Sequence, residues 1–347
     1  MWYWGKMIRA ATLFALVTLL SACGSGTPAV GTPASGTATT APIPSAVITT
    51  TAPTISGAIP SPRSGAVLVY DPDIKAVVLV GGDQEDETGK PAKLWAWNGT
   101  AWRVIDDGRP EARSLAGVAY DPEHAALVVF GGSTGVGRDP RDTWEWSVNR
   151  WTRKADVGPA ATSHVATVFE SARHRVLLFG GNDDVPTLFG ETWSWDGNRW
   201  TKLTSDGPGP LVHHTMTYDA VRERVLLFGG SDGRRSRGDL WEWDGAAWKQ
   251  LTVAAPAPSP RTGARMAYDA ARKVIVLYGG DGLDDTWTWN GQAWSRVNAS
   301  GPGVRAHHAM TYDPGRSRVV LFGGYDGRRN LNDTWEFDGG AWVKVNP

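Results

Sequence analysis

Short hydrophobic runs recur along the chain, and each one ends in a pair of glycines, as in Val176-Leu177-Leu178-Phe179 before Gly180 and Val319-Val320-Leu321-Phe322 before Gly323. The runs have no polar alternation, the pattern of a strand buried on both faces. The pairs are Gly81-Gly82, Gly131-Gly132, Gly180-Gly181, Gly229-Gly230, Gly279-Gly280 and Gly323-Gly324, at intervals of 50, 49, 49, 50 and 44 residues. Such a period marks one supersecondary unit repeated in tandem, so Pro62 onward reads as a single domain.

Three further pieces accompany each run. A short strand precedes it and ends in Tyr70-Asp71, Tyr120-Asp121, Phe169-Glu170, Tyr218-Asp219, Tyr268-Asp269 or Tyr312-Asp313. A Trp-x-Trp segment follows it, as in Trp144 and Trp146 or Trp241 and Trp243, and a spacing of two puts both rings on one strand face. Last comes a strand opening with Trp102, Trp151, Trp200, Trp248, Trp294 or Trp342. Asn98-Gly99, Asp196-Gly197, Asp244-Gly245, Asn290-Gly291 and Asp338-Gly339 join the last two pieces with the positive φ that tight hairpins need; only the second unit departs, with Ser147-Val148-Asn149. The spacing therefore predicts four-stranded antiparallel meanders, with Arg153, Lys202, Arg296 and Lys344 charging the outer edge against pairing with other chains.

The apolar run into Gly-Gly, the later Trp-x-Trp and the final Trp together resemble the kelch repeat, over nearly the whole of Pro62 to Pro347. That resemblance implies an all-β fold, a six-bladed β-propeller of four-stranded kelch-type blades spanning approximately 61–108, 109–158, 159–207, 208–255, 256–301 and 302–347. Many kelch proteins complete one blade with strands from both chain ends. Here the first unit carries its own inner strand and the last its own outer strand, so closure is expected to rest on blade-to-blade packing, with Val47-Ile48-Thr49 as an alternative source of a closing strand.

The N-terminal region has a different character. Lys6 and Arg9 precede an apolar run from Ala10 to Leu20, followed by Leu20-Ser21-Ala22-Cys23. A basic flank, an apolar core too short to span a bilayer and small residues before a cysteine make 1–23 a signal peptide, with the start at Met1 or Met7. The motif resembles the lipobox of bacterial lipoproteins, which implies that Cys23 is diacylated and becomes the new N-terminus. It is the only cysteine, so the exported domain has no thiol for a disulfide. Residues 24–60, almost entirely Thr, Ala, Pro, Gly and Ser, read as a flexible linker holding the domain off the membrane.

Composition narrows the partners. With 35 basic against 36 acidic residues there is no broad field to attract nucleic acid, and contact with the membrane is expected through the lipid anchor only. In a meander, the approach to the inner strand and the loop after Gly-Gly share one face of the disc, and that loop varies most among copies. The inner strands begin near Arg63, Arg113, Arg261 and Arg305, with Thr162 and Leu211 in the other two units. Two residues on stand His164, His213 and His307, with His214 and His308 adjacent. A ring of Arg and His at a channel mouth, extended by Arg234 and Arg328 on the loops, suits carboxylates, sulfates or sugar hydroxyls. The opposing reading is that these side chains satisfy loop carbonyls between blades. No catalytic constellation, metal site or cofactor is expected, and the chain reads as a monomeric, non-catalytic binding module for a protein, glycan or cell-envelope ligand. The alternative, suggested by enzymes among kelch-like propellers, is a carbohydrate-active enzyme such as a sialic acid epimerase or lyase. Galactose oxidase chemistry requires a cysteine that this domain lacks.

Overall fold

A computed structural model describes residues 58–346 apart from 84–92, 107, 136–138 and 184–186. Residues 1–57, which include the expected signal peptide with Cys23, most of the expected linker and Val47-Ile48-Thr49, lie outside the described residues. Among the described residues, twenty-four strands form six four-stranded antiparallel sheets, each made of four strands consecutive in the chain. The first blade contains Val67–Asp71, Ala76–Val80, Leu94–Trp97 and Trp102–Asp106; the sixth contains Ala309–Asp313, Arg318–Tyr325, Asn330–Phe337 and Trp342–Asn346. Inner strands adjoin one another around a closed ring, the first beside the sixth. The fold is an all-β six-bladed propeller, as the repeat predicts.

Burial follows the hydrophobic pattern. The second strands Ala76–Val80 and Ala126–Phe130 are buried at every position because a neighbouring blade covers each face. Apolar clusters accordingly straddle the joints: Leu79 and Trp97 of the first blade pack with Val320 and Phe322 of the sixth.

The glycine pairs make the joints. The second glycine's N–H donates to a carbonyl at the start of the next blade in all six: Gly82 to Arg113, Gly132 to Thr162, Gly181 to Leu211, Gly230 to Arg261, Gly280 to Arg305 and Gly324 to Arg63, at 2.6–3.0 Å. The first glycine holds φ between 60° and 70° against that same carbonyl. A methyl group there would come within 2.8 Å of its oxygen, and closer still at Gly81 and Gly131. Only glycine meets both demands.

Tryptophan supplies a second bond. Nε1 of Trp102, Trp200, Trp248 and Trp342 donates across the joint to Oγ1 of Thr334, Thr143, Thr192 and Thr286, at 2.8–3.0 Å. In the two blades where leucine replaces that threonine, Leu94 and Leu240, the following Trp151 and Trp294 have no partner for Nε1 among the described residues. A threonine directly before the first tryptophan of the third strand in one blade thus decides whether the last tryptophan of the next is satisfied.

Closure is more than packing. Gly324 donates to Arg63, Arg63 to the Leu331 carbonyl, Gly65 to the His307 carbonyl, and Trp102 to Thr334. Trp97 Nε1 adds a bond to Glu336 Oε1 at 2.9 Å. The closing seam repeats the bonds of the other joints because the sixth unit presents the same glycine pair to the first that the first presents to the second.

Gly229→Ala should therefore lower stability by about 2 kcal/mol or more, strained φ and carbonyl clash together. Gly209→Ala, also at positive φ but with nothing near its absent side chain, should lose only about 1 kcal/mol. Urea unfolding of the two variants measures the difference.

Candidate functional site: the central channel

The arginines proposed from sequence to ring the channel mouth are spent on the fold. Arg63, Arg113, Arg261 and Arg305 are buried, and Nη1 of each donates to the carbonyl of the first glycine of its own blade, 18 residues on, at 2.9–3.0 Å. In three blades a carboxylate grips the guanidinium from two sides: Asp142 for Arg113 (2.5 and 3.1 Å), Asp285 for Arg261 (2.6 and 3.1 Å) and Asp333 for Arg305 (2.8 and 3.0 Å). Each of these aspartates also accepts from the first tryptophan of Trp-x-Trp, namely Trp144, Trp287 and Trp335. The paired guanidinium and indole hold the three carboxyls below the usual carboxylate range against the opposing effect of burial. Arg63 instead reaches the Ser61 carbonyl and hydroxyl. These groups order the carbonyls of the joint, the opposing reading of the sequence, and their donors do not point at a ligand.

The histidines divide. His213 and His307 face the channel, whereas His214 and His308 turn into the blade joints and meet Phe179 and Tyr278 edge-on, at 5.4 and 5.6 Å between ring centroids. His213 and His307 hold left-handed backbone, φ 57° and 55°, and the histidine after each turns the other way. His164 joins the channel group: its ring lies 4.5 Å from that of His213, which lies 4.7 Å from that of His307.

Local backbone fixes this cluster. Gly65, Leu115, His164, His213, Gly263 and His307 occupy the same position in successive blades, all with φ between 55° and 68°. Five of the six consecutive pairs are joined by a backbone hydrogen bond of 2.8–3.0 Å, forming a belt around the channel mouth. Two blades use glycine there; three keep histidine despite the steric cost of left-handed backbone.

Below the belt lies a cavity of about 490 Å³ lined by inner-strand residues, among them Val67, Val168, Thr217, Met266 and Thr311. Arg265 also lines it. The first inner-strand position is Val67, Gly117, Ala166, Thr215, Arg265 and Ala309 in the six blades, so one charged residue stands where the others are small or apolar. That interruption was the signal available in the sequence for a residue the Arg/His pattern missed. No carboxylate is among the described lining residues, and burial alone pulls the Arg265 pKa down to about 10. Burial likewise holds His164, His213, His214 and His307 down to about 3 and drives His308 well below its ordinary range, so all five are neutral near pH 7.

On the loop face, Asp232-Gly233-Arg234-Arg235 and Asp326-Gly327-Arg328-Arg329 form the same turn, the aspartate accepting from both arginine amides at 2.7–2.9 Å. Arg234 and Arg328 are exposed, as the sequence suggests, while Arg237 is bound to Asp239 (2.7 Å). These turns belong to the fourth and sixth blades and flank the short loop of the fifth, the blade that carries Arg265.

The geometry defines a propeller with a polar-mouthed, largely apolar central cavity. Comparisons agree with the class: residues 141–301 match the KLHDC2/KLHL20/DRC7 Kelch-repeats domain family. No curated protein matches. A solved structure titled "Structure of YjhT" aligns with a TM-score of 0.64 at 14% identity, covering 83% of this chain and 98% of that chain, a likeness that shows the fold. Together they support a kelch-type propeller, a fold typical of protein-interaction modules.

Asp333→Ala should leave the Arg305 guanidinium buried without its carboxylate and cost about 3 kcal/mol in urea unfolding. The histidines set a pH dependence of the opposite origin. Their folded pKa lies below the unfolded value of about 6.5, so the unfolded chain binds more protons in acid. Stability present above that value is lost as pH falls toward about 3, by up to about 1.4 kcal/mol per pH unit for each imidazole. The urea midpoint should drop from pH 7 to pH 5, and His308→Phe should flatten that slope.

Proposed function

We propose that this chain is a lipid-anchored, extracytoplasmic binding propeller that acts without catalysis, docking a protein, glycan or cell-envelope ligand on its loop face and taking one end of it into the channel. The observation that carries this reading is the cavity itself, a volume within the range of small-ligand sites. The polar groups at its mouth are not consumed by the fold as the buried arginines are. Three imidazoles stand there on strained backbone, neutral near pH 7; Nδ1 of His164 meets Ser163 Oγ at 3.0 Å, and the remaining ring nitrogens can donate to or accept from hydroxyls or amides according to tautomer. Arg234 and Arg328 supply exposed charge on the rim.

In this reading Cys23 carries the acyl chains and residues 24–60 are the tether. The anchor would sit on the outer face of the cytoplasmic membrane, or in the outer membrane of a two-membraned cell, with the propeller a monomer. A carbohydrate epimerase or lyase is the competing activity. It would require an acid–base pair near neutrality, and such weakly basic imidazoles serve poorly as general bases at pH 7.

Cys23→Ser should release a folded full-length protein from membranes, and its continued sedimentation with them would count against lipidation as the sole anchor. With that soluble variant, a screen of glycans, envelope fragments and peptides should yield a ligand whose affinity falls about tenfold in His213→Phe and in Arg234→Ser/Arg328→Ser, with thermal stability retained. Turnover of a bound sugar would establish the enzyme instead.

A further inference from the structure

Arg265, half-buried in the channel, is unlike the buried arginines. Arg113, Arg261 and Arg305 each hold a carboxylate in two places, whereas among the described residues the one side-chain hydrogen bond of Arg265 is to the Ala264 carbonyl, at 3.4 Å. It is the sole arginine among the described lining residues, and no lysine joins it. The groups whose fields reach it, or feel it, are the imidazoles of His164, His213, His214, His307 and His308. None of them supplies negative charge. An uncompensated guanidinium in a confined channel destabilises the empty protein, because it gives up part of its water without gaining an anion. Its retention in a strand position that the other blades fill with small or apolar residues is the mark of a group kept for a ligand.

Building on the reading of the channel as the binding site, we propose that the ligand presents a single carboxylate to Arg265 and its hydroxyl or amide groups to His164, His213 and His307. One guanidinium matches one carboxylate through two parallel N–H···O bonds. The neutral imidazoles add hydrogen-bonding capacity without adding charge. A phosphate or sulfate dianion would bring a second negative charge to a lining whose described residues offer no second cation. Val67, Val168 and Met266 provide apolar walls for the remainder of the ligand. A sugar acid and the C-terminal end of a peptide share this chemistry.

The test begins with thermal unfolding of the full-length Cys23→Ser protein in sodium acetate and in sodium chloride at equal ionic strength, for Arg265 and for Arg265→Met. Acetate should raise the midpoint over chloride only when Arg265 is present, and Arg265→Met in chloride should unfold at the same or a higher temperature. Arg265→Lys, which keeps the charge and loses the fork, should respond to acetate more weakly. Calorimetric titration then compares glucuronate with glucose, and N-acetylalanine with its amide. The acid of one pair should bind at least tenfold more tightly than its neutral counterpart, and which pair does so identifies the source of the carboxylate. A midpoint lowered in Arg265→Met would make Arg265 a structural residue and overturn the proposal. An acetate response that persists in Arg265→Met would overturn it as well. Binding of glucose or of the amide that depends on His213 but not on Arg265 would leave the channel reading standing and remove the carboxylate. Absence of any response to acetate, glucuronate or N-acetylalanine would remove both.

Discussion

Each joint of the ring hangs on the amide of the second glycine in a pair, which reaches the carbonyl that opens the following blade. The bond is short and shielded, and a buried amide without it would forfeit about 1–3 kcal/mol. For the amide to point across the joint, the backbone must turn through two successive residues of positive φ, with the first lying almost against the acceptor. The hydrophobic run before the glycines follows from the same constraint. A strand that ends in this crossing has a blade on either side, so both of its faces are dry.

Around that bond the repeats differ in how they satisfy the neighbouring carbonyl and carboxylate. Where arginine opens the blade, as at 113, 261 and 305, aspartate stands two residues before the first tryptophan and the two are paired. Where Thr162 or Leu211 takes its place, the acid turns elsewhere: Glu191 to Lys202 and Asp239 to Arg237. The substitutions move together because a buried acid needs a cation wherever one can be found, and a buried guanidinium needs an acid. In the first blade Lys93 occupies the acid's position and Arg63 binds Ser61.

The channel obeys the opposite rule. Its belt of left-handed residues admits glycine without strain, yet holds three histidines, and its inner strands admit small side chains, yet hold one arginine. Local strain and an unpaired cation both reduce the stability of the ring; the strained non-glycine belt residues lie in blades two, three, four and six, and the cation in blade five. Every joint keeps its backbone glycine bond, whereas the Arg265 guanidinium in the channel has no carboxylate among the described lining residues.

The number of blades, their four strands, the glycine crossings and the tight hairpins were legible in the sequence because each depends on residues close together in the chain and repeated six times. The arginines that open four of the blades were legible too, but their meaning was not: the sequence reading set them at a channel mouth, and the structure binds each to a glycine carbonyl of its own blade. An arginine's role depends on whether a carboxylate lies opposite, and Arg113 and Asp142 meet only after two strands have paired. Arg265 has the same side chain and opens onto the channel, where no such strand faces it. The sequence determined the scaffold through local periodicity; tertiary structure decided which charges meet a partner in the scaffold and which stand without a carboxylate among the described residues, because burial and pairing belong to the folded neighbourhood rather than to the residue.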